Sequence, residues 1–133
     1  MERTLSIIKP DAVERNLTEE IKSIFVKNGL KIVSSKKIHI SKEEAAEFYK
    51  VHQSKPFYND LCAYLSSGPI FVMILEGNSA VLKNRELMGA TNPKDAKPNT
   101  IRKLYGISID KNSAHGSDSV DNAKTEIDFF FKN

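Results

Sequence analysis

Residues Ile70 to Leu75 read Ile-Phe-Val-Met-Ile-Leu, an unbroken apolar run directly after Gly68-Pro69. A run this short between turn residues predicts a strand buried on both faces. It is far too short to span a bilayer. The other segments have to be layers against it. Arg3 to Lys9 reads as a strand carrying Leu5, Ile7 and Ile8, stopped by Pro10-Asp11. Leu17, Ile21, Ile24 and Phe25 fall at helical spacing before Asn28-Gly29, a left-handed helix stop. Leu30 to Ile40 predicts a strand with Leu30, Ile32, Ile38 and Ile40 on one face and Lys31, Lys37 and His39 on the other.

Ser41-Lys42-Glu43-Glu44 is a capping box opening the next helix. Lys55-Pro56 precedes another, with Phe57, Leu61, Tyr64 and Leu65 on one side, and Gly77-Asn78 a third, with Val81, Leu82, Arg85 and Met88. From Gly89 to Thr100 no large apolar residue occurs, and Pro93 and Pro98 argue against regular structure; loops of this length in small domains are functional or disordered. Ile101 to Tyr105 predicts one helical turn, Ile107 to Ile109 a short irregular strand, and Val120, Ala123, Ile127 and Phe130 a last helix. The expected fold is one α/β (α+β) domain over residues 1–133, a βαββαβ sandwich with helices on one face of an antiparallel sheet.

The 133 residues suffice for a core without staples, and 40% hydrophobic with 28% charged residues is ordinary for a soluble domain. A net charge of +3 suits an anionic small molecule as well as nucleic acid and does not choose between them. The single cysteine, Cys62, excludes an internal disulfide, falls in an apolar helical pattern as an inert thiol, and agrees with a reducing compartment. The amino-terminal residues enter a strand directly, so no secretory signal and no membrane anchor is expected, and the cytoplasm is the expected location.

Chemistry concentrates in Asn112-Ser113-Ala114-His115-Gly116-Ser117-Asp118-Ser119. Histidine titrates near neutrality and can act as nucleophile, base or acid. Gly116 is expected to let the backbone turn sharply beside the ring, and short polar neighbours can hold it or bind an anion. His39, on the polar side of a strand, and His52, among Gln53, Ser54 and Lys55, read instead as solvated surface and loop residues. With Ser119 as N-cap, Ser119, Asn122 and Glu126 share a stripe of the last helix. Glu126 can reach back to His115 and fix its tautomer, or can pair with Lys124 or Lys132 as a solvated residue.

Cations stand singly at structural breaks: Lys9 at a strand end, Arg85 before the long loop with Thr91 after it, and Arg102 beyond. Together they suggest a polyphosphate clamp. No G-x-x-x-x-G-K-[ST] occurs, so side chains and a bridging Mg²⁺ have to hold the phosphates. Phe57 could project outward to meet a base or could be core, and Tyr49 could be core or offer its hydroxyl to a phosphate.

Ile8-Lys9-Pro10-Asp11, Lys55-Pro56-Phe57, Ser67-Gly68-Pro69, Asn84 to Pro93, Thr100-Ile101-Arg102 and Asn112 to Ser119, in this order and spacing, resemble the nucleoside diphosphate kinase family over nearly the whole chain. The resemblance implies a ferredoxin-like fold and ping-pong transfer of a γ-phosphoryl group from ATP or another nucleoside triphosphate to a diphosphate, with broad base tolerance. His115 would attack through Nδ1 and carry the phosphoryl group, Glu126 would orient it, and Ser117 would support the carboxylate or the ring. Lys9 and Tyr49 would contact the moving group, and Arg85, Thr91 and Arg102 the phosphates. Asn112 with Lys9 would meet the sugar, Phe57 and Ile109 would sandwich the base with Leu61 nearby, and Gly116 would leave room for the nucleotide. Mg²⁺ would sit on the phosphates with little or no protein ligation. The family assembles as homo-oligomers, hexamers or tetramers, and nucleic acid is not required.

Three features depart from the family pattern. The sequence stops at Asn133 where relatives usually continue, which leaves hexamer or tetramer open. Asn99 stands where glycine is usual, and asparagine tolerates the left-handed region. Lys103-Leu104-Tyr105 replaces an Ala-Asp-Phe-like stretch. A non-catalytic nucleotide- or nucleic-acid-binding member of the same fold would show a lost histidine or a broken clamp, and a pure assembly protein would not explain the hydrophilic loop.

Overall fold

The structure is a computed structural model that describes residues 1–50, 53–109 and 111–131. His52 and Lys132 lie outside the described residues. Strands β1 (Glu2–Ile8), β2 (Lys31–Ile38), β3 (Ile70–Gly77) and β4 (Ala114–Gly116) form an antiparallel sheet in the order β2-β3-β1-β4. The apolar run is therefore an inner strand, paired on both sides. Ile70, Val72, Met73 and Leu75 are fully buried.

Helices α1 (Pro10–Glu14), α2 (Thr18–Lys27), α3 (Lys42–Phe48), α4 (Tyr58–Leu65), α5 (Ala80–Met88), α6 (Ile101–Tyr105) and α7 (Val120–Phe131) complete the chain. Pro10 opens α1 at a position where its missing N–H costs nothing. Ser41 and Glu44 make the predicted reciprocal cap on α3, and Gly29 closes the α2 turn at φ +88°.

The expected sandwich is present, with the second face of the sheet covered as well. One apolar cluster joins Ile21 and Phe25 of α2, Ala80 and Met88 of α5, and Ile101 of α6 to Ile8, Met73 and Leu75 of the sheet. The other sets Ala45 of α3, Cys62 and Leu65 of α4, and Phe130 of α7 against Leu5, Ile7, Ile70 and Val72. Alternate residues of β3 point to opposite sides and are apolar on both, so each face needs a cover. The helices on one face are thus only half of the arrangement.

Strand β2 departs from its expected single register. The pairing runs Ile32 to Leu75, then Ser34 to Ile74, so Val33 is an extra residue. A one-residue bulge moves every later side chain to the opposite face. Leu30 and Ile32 accordingly pack with the α2 cluster, and Ile38 and Ile40 with the α3 cluster.

The loop from Gly89 to Thr100 is not wholly irregular, because Pro93–Asp95 forms a 3₁₀ turn capped by the Asn92 side chain. Pro93 sits at its first position, where its fixed φ is an advantage rather than a break. Asn99 takes the left-handed region as expected, at φ +68°. No helix among the described residues is long and apolar enough to cross a membrane.

Candidate active site

The octet around His115 is not a loop throughout. Its middle forms β4, where Ser6 pairs with Gly116, Ile7 with His115 and Ile8 with Ala114. The backbone pairing continues outward through Lys9 N to Ser113 O at 2.9 Å and Ser117 N to Leu5 O at 3.2 Å. The strand expected at Ile107 to Ile109 is instead a turn whose N–H groups at Ile107 and Ser108 donate to Lys111 O. β1 offers an open edge next to the octet, and short polar side chains do not prevent it from pairing.

The sharp backbone bend lies three residues before the expected glycine. Ser113 carries φ +73°, whereas Gly116 is in ordinary extended backbone. Ser113 is held there by donating its hydroxyl to Asp11 Oδ2 at 2.8 Å. Asp11 also accepts from Arg15 at 3.2 Å and from the Tyr64 hydroxyl at 2.5 Å. That carboxylate pushes the Tyr64 pKa well above the ordinary phenol value, second to the effect of burial. Gly116 serves packing: a Cβ there would meet Asn84 Nδ2 at 2.2 Å and Met88 Cε at 2.7 Å, so only glycine lets α5 lie this close to β4.

His115 and Ile7 pair directly and point to the same face, the one covered by α3 and α7. Nε2 lies 3.2 Å from Glu126 Oε1. A carboxylate only accepts, so the proton sits on Nε2 and the Nδ1 lone pair is left open. Ser117, fully buried, donates to the same oxygen at 2.7 Å. The imidazole side chain keeps 21% of its surface exposed, enough for a reactant to reach. Phe48 and Tyr49, at the end of α3, flank the ring at centroid distances of 5.2 and 6.4 Å. Tyr49 is buried, which raises its phenol pKa far above the ordinary value, with smaller contributions from Cys62 and Glu126. It is a neutral donor at physiological pH.

Lys9, at the end of β1, is also buried and donates Nζ to Asn112 Oδ1 at 2.9 Å. Asn112 gives both amide hydrogens to backbone, Thr91 O and Ile109 O at 3.0 Å each. It ties the lysine to both flanking loops. Arg102 donates to Gly89 O at 3.0 Å and to Ala114 O at 2.8 Å, which fixes it beside His115. Its Nε is buried without a partner. Burial, and then the Arg85 charge, push its pKa down to about 10. Arg102 is still cationic at neutrality and poorly solvated, a state that an incoming anion relieves.

The structure thus gathers His115, Glu126, Ser117, Tyr49 and Arg102 at one end of β4, with Lys9 and Asn112 joined to the segment leading in. Arg85 is exposed on α5, near enough to Arg102 to lower its pKa. Thr91 is exposed and reaches this group through its carbonyl. Phe57 and Ile109 stand at the surface, 43% and 54% exposed, while Leu61 packs against the α3 cluster. Phe57 projects outward at the head of α4, with Lys55 Nζ 5.7 Å from its ring. His39 is exposed, its Nε2 2.8 Å from Ser66 O.

Asp11, Ser113 and Asn84 stand within the motifs without an individual role expected of them, and Phe48 stands outside every motif. For Asp11, an acid between a buried strand and an arginine four residues on is a usable signal. Nothing in the sequence marks Phe48.

A family profile described as nucleoside diphosphate kinase matches residues 2–133. A nucleoside diphosphate kinase of a Nitratiruptor species is 60% identical over 98% of this chain and 96% of its own. One from Campylobacter jejuni is 58% identical over 99% and 96%. Among solved structures, the Aquifex aeolicus nucleoside diphosphate kinase superposes with a TM-score of 0.97 at 40% identity, covering 99% of this chain and 96% of that one. That of Encephalitozoon cuniculi gives 0.96 at 39%, covering 100% and 90%.

Proposed function

Because the chain belongs to the nucleoside diphosphate kinase family, and so passes a γ-phosphoryl group from a nucleoside triphosphate to a diphosphate by a ping-pong route, we propose that His115 carries that group between the two half-reactions. The observation that supports this most directly is the hydrogen bond of Nε2 to Glu126 beside a half-buried Arg102 whose Nε has no partner. In the first half-reaction an Nδ1–P bond forms as the bond between the γ-phosphorus and the β,γ-bridging oxygen breaks, and the diphosphate leaves. In the second, a β-phosphate oxygen of a new diphosphate attacks the phosphohistidine and Nδ1 departs with its lone pair. The Nε2 proton stays in place throughout, and Glu126, steadied by Ser117, balances the positive charge that N-phosphorylation brings to the ring.

Phosphoryl transfer through a loose transition state asks for in-line positioning and charge neutralisation rather than acid–base chemistry. Lys9 and the Tyr49 hydroxyl address the moving group, while Arg85, Thr91 and Arg102 take the remaining phosphates. The two amide hydrogens of Asn112 are spent on backbone, so a sugar hydroxyl meets its oxygen alongside Lys9. Phe57 and Ile109 hold the base between them with Leu61 behind. Stacking reads no hydrogen-bond pattern, which accounts for tolerance of all bases.

Mg²⁺ belongs on the nucleotide rather than on the protein. The clamp of Lys9, Arg85 and Arg102 is cationic, so the phosphates rather than the protein would hold a divalent ion. Bound to phosphate oxygens, the ion supplies further neutralisation of their charge. The chain acts as one domain over residues 1–133 in a homo-oligomer, hexamer or tetramer, with Leu104 and Ile107, both exposed, available for contacts between copies. The buried free thiol of Cys62 fits a cytoplasmic setting, and nucleic acid is not required.

Incubation with γ-labelled ATP and Mg²⁺ followed by GDP tests the reading. The expected label is acid-labile, alkali-stable and removed by GDP as labelled GTP. A wild type that takes up no label, or a His115→Ala variant that still cycles it, overturns the assignment. Salt-sensitive DNA binding in the absence of label would point to the non-catalytic alternative.

A further inference from the structure

An imidazole turns about two side-chain torsions, and the 3.2 Å hydrogen bond to Glu126 anchors Nε2 while leaving the ring free to tilt around it. A second restraint comes from Phe48. This half-buried residue ends α3, and its ring centroid lies 5.2 Å from that of His115 with the planes inclined at 73°. Those values match an edge-to-face aromatic pair. Phe48 is itself wedged by Tyr49 at 5.1 Å, Phe130 at 5.1 Å and Phe129 at 5.8 Å. Glu126, Phe129 and Phe130 are three and four residues apart on α7 and so share one side of it. One helix therefore supplies the carboxylate on the imidazole nitrogen and also braces the ring that packs against the imidazole.

From this arrangement we propose that Phe48 is a positioning residue for phosphoryl transfer. Its ring and Glu126 act as two separate contacts that together hold Nδ1 of His115 toward the incoming phosphorus. Phe48 has no polar group of its own, so its contribution is orientation alone. The proposal rests on His115 being the phosphoryl carrier.

The test compares wild type with Phe48→Leu, Phe48→Tyr and His115→Ala. Single-turnover phosphorylation by MgATP is measured in a quenched-flow instrument, and NMR of the isotope-labelled histidine ring reports its tautomer and its orientational order without any need for turnover. Losing one aromatic pair should slow phosphorylation of Phe48→Leu by roughly five- to tenfold, with the half-saturating ATP concentration changed less than about twofold. Phe48→Tyr keeps the ring and should recover most of the rate. Wild type and Phe48→Leu should both show one tautomer, protonated at Nε2, because Glu126 sets it, while the order parameter of the imidazole ring should fall in Phe48→Leu.

A purely structural role would lower the melting temperature while leaving the ring order parameter and the rate per folded molecule unchanged. Wild-type labelling by folded Phe48→Leu, or a Phe48→Tyr no faster than Phe48→Leu, overturns the proposal. Should Phe48→Leu fold poorly, Phe48→Met supplies similar volume without the ring and carries the same expectation. If His115→Ala is still phosphorylated, the carrier assignment falls by itself. The ring spectrum then decides whether Phe48 fixes the imidazole: an unchanged ring order parameter in Phe48→Leu refutes that as well.

Discussion

Gly116→Ala probes the contact that sets α5 against the strand bearing His115. Gly116 is not in the left-handed region, so alanine suffers little backbone strain and the effect is steric. The new methyl would lie 2.2 Å from Asn84 Nδ2 and 2.7 Å from Met88 Cε, both well inside the ~3.5 Å at which non-bonded atoms rest. The Met88 thioether can rotate aside cheaply. Asn84 is fully buried and has nowhere to go, so the helix must lift. Overpacking of this kind costs about 1–3 kcal/mol, and the closeness of the Asn84 contact points to the upper half of that range. Because α5 also carries Arg85, a shift of about an ångström should lower kcat/KM by roughly ten- to a hundredfold.

The same contact gives the calculation a control. Both amide atoms of Asn84 are buried without partners. Asn84→Ala thus deletes groups whose burial is unfavourable, offsetting the small cavity it leaves, and should change stability by less than about 1 kcal/mol. It also removes the obstacle to a Cβ at position 116. The double variant should be more stable than Gly116→Ala alone, with a coupling energy of about 1–2 kcal/mol. Urea unfolding followed by helix circular dichroism at fixed protein concentration measures this; the chain has no tryptophan to report by fluorescence. A Gly116→Ala protein within about 0.5 kcal/mol of wild type, or strictly additive effects, would refute the packing argument.

Asp11→Ala should cost about 3 kcal/mol or more in the same assay, because it strands Arg15, Tyr64 and Ser113 around a nearly buried site; a loss under about 1 kcal/mol would contradict the network. Ser117→Ala leaves Leu5 N and Glu126 Oε1 each short of a partner and should cost about 1–2 kcal/mol, with slower labelling of His115. The Asn122 amide holds the Asp118 carboxyl below its usual range, and Arg3 does the same for Glu76. As pH falls, the unfolded chain protonates these groups first, so their contribution is present above about pH 4 and lost below it. Melting temperature measured against pH should therefore show the wild-type advantage over Asn122→Ala shrinking between about pH 5 and pH 3; a difference independent of pH would exclude the Asp118 contact as its source.

Local rules made most of the elements legible. Apolar spacing marked the helices, Ser41 with Glu44 marked a cap, and the run from Ile70 to Leu75 marked a strand buried on both faces, because periodicity and capping depend on neighbours within a few residues. The pairing of His115 with Glu126 was readable for the same reason: His115 lies just before the Ser119 cap and Glu126 on the helix just after it, and the helix repeat fixes which side the carboxylate takes. What the sequence could not determine were the features decided by segments far apart along the chain. The bulge at Val33 depends on how β2 fits β3 and sends Ile38 to the face opposite Ile32. The bend falls on Ser113 rather than Gly116 because Asp11, a hundred residues earlier, holds its hydroxyl. Gly116 is required by α5, and Phe48 meets His115 only because α3 and α7 pack on one face of the sheet. Short-range preferences choose the elements; long-range packing chooses which side chains meet, and the chemistry of this site lies in those meetings.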